Sequence, residues 1–203
     1  MRLGRIAGML IVAGSALSLP AAVLYGRPAA PGDTGQGDFS SLLANACLAL
    51  LGSGAAGLSV AGPKPLDAPN LRRGLGTLAF GLLSLVVSSI IPIPAGSDAL
   101  ESWPYVIAGG IGLLATATGA LVTVFSLARA SGPPQSVGRL FLAGVLLVVV
   151  TRLLANGAIA LGPLRVIPDL LGVFGGVTMI LATATLGMLA IRGDRSAPGA
   201  SAR

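Results

Sequence analysis

Three side chains in this sequence combine chemical potential with a place in or beside a long apolar run: Arg152, Asn156 and Asp169. A charged group at membrane depth has to find a partner or water, because a central Arg costs roughly 2.5 to 3.5 kcal/mol on insertion scales. Arg152 lies twelve residues beyond Leu140 in a stretch that runs to Gly162. A rise of about 18 Å over that distance predicts a position near the bilayer midplane. Asn156, one turn later, shares its face. Asp169 is the natural anion, across a short turn at residues 162–165, yet it sits about 9 Å nearer that turn than Arg152 does. A break at Asn156-Gly157 would close the gap, and broken helices are tolerated where they line a cavity. The functional reading is a midplane contact for an anion or polar substrate, or a gate between Arg152 and Asp169. The structural reading is a snorkelling Arg, or an internal pair that fixes helix register.

Residue types exclude most other chemistry. The chain has no His and one cysteine, Cys47, so an imidazole-ligated metal site, a histidine base, an intrachain disulfide and a multi-cysteine metal cluster are all absent. Cys47 reads as a small buried hydrophobe, since reactive thiols need an electropositive, accessible setting. Two threonine pairs, Thr116 with Thr118 and Thr183 with Thr185, read as helix hydrogen-bonding groups or as the lining of a pore. The Gly-Gly pairs lie inside apolar runs with no following Lys, so they make no phosphate loop. Without paired carboxylates or a Ser with a base, no enzyme, cofactor or metal site is expected.

Positioning falls to membrane-spanning helices. Of 203 residues, 54% are hydrophobic and 10% charged, and the mean hydropathy is +0.89. That is far from the soluble norm of about a quarter charged. Six apolar runs reach the ~20 residues needed to cross roughly 30 Å of hydrocarbon: 6–25, 40–62, 74–94, 104–128, 140–162 and 167–191. Such runs lack barrel-strand alternation, so the fold class is all-α, a polytopic bundle over residues 1–191 with a disordered basic tail at 192–203. The first run is also readable as a signal peptide, although its apolar length exceeds the usual h-region.

The net charge of +6 does not point to nucleic acid, because the 13 basic residues form no cluster. Twelve of them are Arg and Lys64 is the single Lys, which with abundant Gly and Ala resembles the coding bias of a GC-rich bacterium. With the N-terminus inside, ten basic residues fall on the cytoplasmic side and only Arg27 and Arg165 outside. This predicts a bacterial inner-membrane protein with both termini cytoplasmic. Tyr25, Phe39, Trp103 and Tyr105 then fall at the outer boundary, where amphipathic rings settle.

Leu114-Ala115-Thr116-Ala117-Thr118 recurs as Leu181-Ala182-Thr183-Ala184-Thr185, an offset of 67 residues. The recurrence reads either as three repeated helical hairpins or as chance in a Gly/Ala/Leu/Thr-rich chain. Small residues at intervals of four make stripes in the second helix (Ala49, Ser53, Gly57, Ala61) and the fourth (Ala108, Gly112, Thr116, Ala120). Lipid supplies no hydrophobic drive between helices, so such stripes are where backbones approach. The even-numbered helices are therefore expected to form a tight centre, with Leu- and Val-rich helices three and five as lipid-facing cover. The expected partners are the bilayer and a second copy or another membrane protein. The function anticipated is structural or accessory, acting through helix association; the alternative is a small-solute or ion transporter with a midplane polar site around Arg152.

Overall fold

A computed structural model describes residues 3–25, 34–63, 66–90, 103–157 and 166–193; within its helices, the side chains of residues 23–25, 34–38, 105, 152–157 and 166–170 lie outside the described set. The described residues form six helices and no strand: α1 (Leu3–Tyr25), α2 (Thr34–Ala61), α3 (Pro69–Ile90), α4 (Trp103–Arg129), α5 (Pro133–Gly157) and α6 (Val166–Gly193). Each contains a stretch long and apolar enough to cross a membrane. The chain is a polytopic membrane protein in a lipid bilayer.

Three helices begin more than a turn ahead of their hydrophobic runs. α3 starts at Pro69 and α5 at Pro133. Proline suits the first position of a helix because its missing N–H has no partner there anyway. The polar turns Asn70 to Arg73 and Pro134 to Arg139 are thus helical although they are not apolar. α2 likewise starts at Thr34, ahead of its expected 40. Glycine shapes two connections: Gly62 (φ 47°) after α2 and Gly132 (φ 75°) before α5 both hold left-handed backbone, which glycine adopts without the Cβ penalty. Arg72 ties the first of these turns together. Its Nε donates to the Ser59 carbonyl (2.8 Å) and its Nη2 to that of Val60 (3.2 Å). Two of the carbonyls left open at the end of α2 are satisfied in this way, and the same guanidinium stands 3.6 Å from Asp67.

Every helix packs on its sequence neighbours, and α1 packs on α6, so the six antiparallel helices close into a ring. This arrangement replaces the expected tight centre of even-numbered helices. α3 is no lipid-facing cover: it buries Leu71, Gly74, Leu75, Ala79, Gly81, Leu82 and Ser88. The reason lies in its glycines. Gly74 faces Thr123, Gly81 faces Thr116, and Gly119 of α4 faces Thr77 and Leu78. A Cβ added at Gly81 or Gly119 would fall on backbone atoms of the opposite helix, so the α3·α4 seam closes to backbone contact. α5, by contrast, does present Leu146, Val149 and Val150 outward.

Hairpins α3–α4 and α5–α6 share a crossing. Gly81 meets Gly112, and Gly144 meets Gly175, in each case carbonyl against glycine and 31 residues apart in the chain. The structural offset between these crossings is 63 residues, not the 67 of the recurring Leu-Ala-Thr-Ala-Thr stretch. The recurrence is therefore displaced by four residues, about one helical turn, from structural equivalence. In α1–α2 no such glycine pair occurs among the described residues: Gly14 lies against Leu50 and Leu51, and Gly54 against Ile11 and the Ala7 carbonyl, so the first hairpin departs from the other two.

The antiparallel order brings Arg5, Arg72, Arg73, Arg129, Arg139 and Arg192 to one end, with Asp67 the described acid there. Phe39 and Trp103, both exposed, mark the other end. The core is densest toward the arginine-bearing end. Leu58 and Leu127 are fully buried there, joined by Leu66 from the α2–α3 connection.

Candidate functional site

Beside that core, and sharing Ile11, Ala55, Leu75 and Leu186 with it, lies a partly open cavity of about 290 Å³ to which all six helices contribute. One lining residue from each is Ser15, Ala55, Leu78, Thr123, Phe141 and Thr183. Among the described residues, no charged side chain lines it.

Hydroxyls supply its polarity, and most are already engaged. Ser15 Oγ donates to the Ile11 carbonyl, Ser18 Oγ to that of Gly14 and Thr183 Oγ1 to that of Met179, each at 2.8 Å. Such bonds to the preceding turn let a helix carry a hydroxyl through an apolar region. Thr116 and Thr123 break the pattern: both Oγ1 atoms are buried without a hydrogen-bond partner. The cause is the seam just described, where each hydroxyl is packed against a glycine of α3, Thr116 on Gly81 and Thr123 on Gly74.

A cavity walled mainly by apolar side chains, with no charged group among its described lining residues, is a poor place for an ion, because desolvation would go uncompensated. It suits a small apolar or weakly polar molecule. A void of about 150 Å³ holds a benzene ring, so this one has room for roughly ten to twelve heavy atoms.

The anticipated polar site belongs to the end of α5 and the start of α6. Arg152 and Asn156 lie on the last turns of α5 and Asp169 on the first turn of α6, with side chains outside the described residues. Because α5 begins at Pro133 and not at Leu140, the Arg152 backbone stands about three-quarters of the way along the helix, toward the turn into α6 and away from its middle. Thr151, the preceding residue, packs on Gly172 of α6.

The small-residue stripes divide. In α2, Gly57 meets Ala7 of α1, Ala61 lies 3.7 Å from where a Cβ on Gly4 would be, Ala49 is half-buried and Ser53 faces outward. In α4, Gly112 and Thr116 meet α3, Ala120 lines the cavity and Ala108 is half-buried. Of the threonine pairs, Thr116 and Thr183 line the cavity, whereas Thr118 is exposed and Thr185 bonds back to Leu181. Asn45 of α2 accepts from Ser89 Oγ of α3 at 2.9 Å, and Cys47 is buried. Sequence reasoning missed Ser15, Thr123 and Phe141. Thr123 had a signal, lying seven residues from Thr116 and so on the same face two turns later.

No protein-family model, curated protein or solved structure matches the chain.

Proposed function

We propose that this polytopic membrane protein is a non-catalytic binding protein of the bacterial inner membrane, holding one small apolar or weakly polar molecule inside its helix ring. The observation that carries the reading is the cavity of about 290 Å³, walled by all six helices and, among the described residues, free of charged lining. It favours a carrier or sensor of an uncharged molecule over an ion channel. The gathering of arginines at one end of the ring supports an orientation with that end, and both termini, in the cytoplasm.

Association with a second copy or a membrane partner has less support, because several of the residues that suggested it are occupied within the chain. Gly57 is used by α1, and Gly112 and Thr116 by α3. An interface would have to be built from other positions.

Native mass spectrometry of the protein extracted gently from its membrane tests the proposal. The expected result is a monomer carrying one reproducible small molecule, lost in Ala120→Phe, which fills the cavity from α4. A bare monomer, or the same molecule retained by Ala120→Phe, would reject it. A defined oligomer or stoichiometric partner with no small molecule would return the function to helix association.

A further inference from the structure

Outside the ring, at its arginine-bearing end, a groove of about 540 Å³ runs between the start of α3 and the end of α4. Its upper part is polar, formed by Asn70 of α3 with Ser126 and Arg129 of α4. Its lower part is apolar, formed by Leu121, Val122 and Phe125. These three remain 54%, 37% and 50% exposed. Arg129, Phe125 and Leu121 are spaced four residues apart, so a cation, an aromatic ring and an aliphatic side chain stack along one face of α4 over about 12 Å.

We infer that this groove is a binding site for one anionic phospholipid. Arg129 supplies the phosphate contact. Asn70 and Ser126, at the same level, face the ester region, and one acyl chain lies along Phe125 and Leu121. Charge selects the occupant: among the described residues Arg129 is the only charged one lining the groove, and no described carboxylate pairs with it. Asp67, the described acid at this end, stands beside Arg72. The positive end of the α3 dipole opens toward the same place through Asn70. At 27 residues α4 is about 40 Å long. That exceeds the hydrocarbon thickness of roughly 30 Å, so its last turn reaches headgroup depth.

The test uses the full chain, purified in a delipidating detergent and titrated with phosphatidylglycerol, phosphatidylcholine or inorganic phosphate while bound lipid is counted by native mass spectrometry. One phosphatidylglycerol is expected to bind in preference to phosphatidylcholine. Arg129→Gln should weaken it about five- to tenfold, as expected for one arginine at a headgroup. Arg129→Lys should keep most of the binding, and Arg139→Gln, at the same end on α5, should leave it unchanged. Equal retention by Arg129→Gln, equal binding of phosphatidylcholine, or displacement by inorganic phosphate at the lipid's own concentration would overturn the assignment.

Discussion

Thr123 shows how a single side chain can record the closeness of two helices. Other hydroxyls in these helices donate to a carbonyl one turn back, as Thr151 does to Leu147 at 2.7 Å. Thr123, only 5% exposed, has no such bond because it lies against Gly74. A buried hydroxyl left without a partner costs about 1 to 3 kcal/mol. Thr123→Val, nearly the same shape without that hydroxyl, should therefore be neutral or raise stability by up to about 2 kcal/mol in reversible SDS titration in mixed micelles. A clear loss of stability would mean that the hydroxyl is satisfied. At this scale the sequence was only partly readable. Thr116 and Thr183 stood out by their repeated context, whereas Ser15 and Phe141 carry no local mark and reach the cavity only because α1 and α5 are rotated that way in the ring.

The seams between helices differ in what they tolerate. Gly81 and Gly110 are both helical glycines, on α3 and α4, but a Cβ at Gly81 would meet the Thr116 backbone while one at Gly110 meets nothing within 4 Å. Gly81→Ala should lower stability by about 1 to 3 kcal/mol through overpacking. Gly110→Ala should leave it unchanged or raise it by up to about 1 kcal/mol through helix propensity. SDS titration of the pair decides, and equal effects would refute the backbone-contact reading of the α3·α4 seam. The existence and number of the helices were legible because apolar runs of that length have few alternatives in lipid. Their starts were not, because Pro69 and Pro133 open helices through polar turns that hydropathy assigns to loops. The stripe of α4 was legible, and so was the tendency of small residues to mark contacts. Hydropathy did not reveal that Gly74 and Gly81 of α3 form the opposite side of that contact, since a Leu-rich helix hides its glycine face.

For the whole molecule, the arginine-bearing end is expected to face the cytoplasm. In a Cys47→Ser background, an impermeant maleimide added to intact cells should label Trp103→Cys and leave Ser131→Cys, in the α4–α5 turn, unlabelled until the cells are opened. The opposite pattern would invert the orientation. The ring itself was not legible, because antiparallel order follows from short connections but which non-sequential helices meet depends on rotations that composition does not encode. The contact between α1 and α6 has a consequence for how the protein is made. These helices touch at Gly8 and Gly187, and α1 leaves the ribosome well before α6. At roughly 5 to 20 residues per second, α1 waits on the order of 10 to 30 seconds for the partner that completes its packing. Until then, the surface of α1 around Gly8 is open to lipid or to a chaperone. A chain stalled before α6 would be an open arc with its cavity exposed along one side, so the binding proposed for the ring would begin only once α6 has docked on α1.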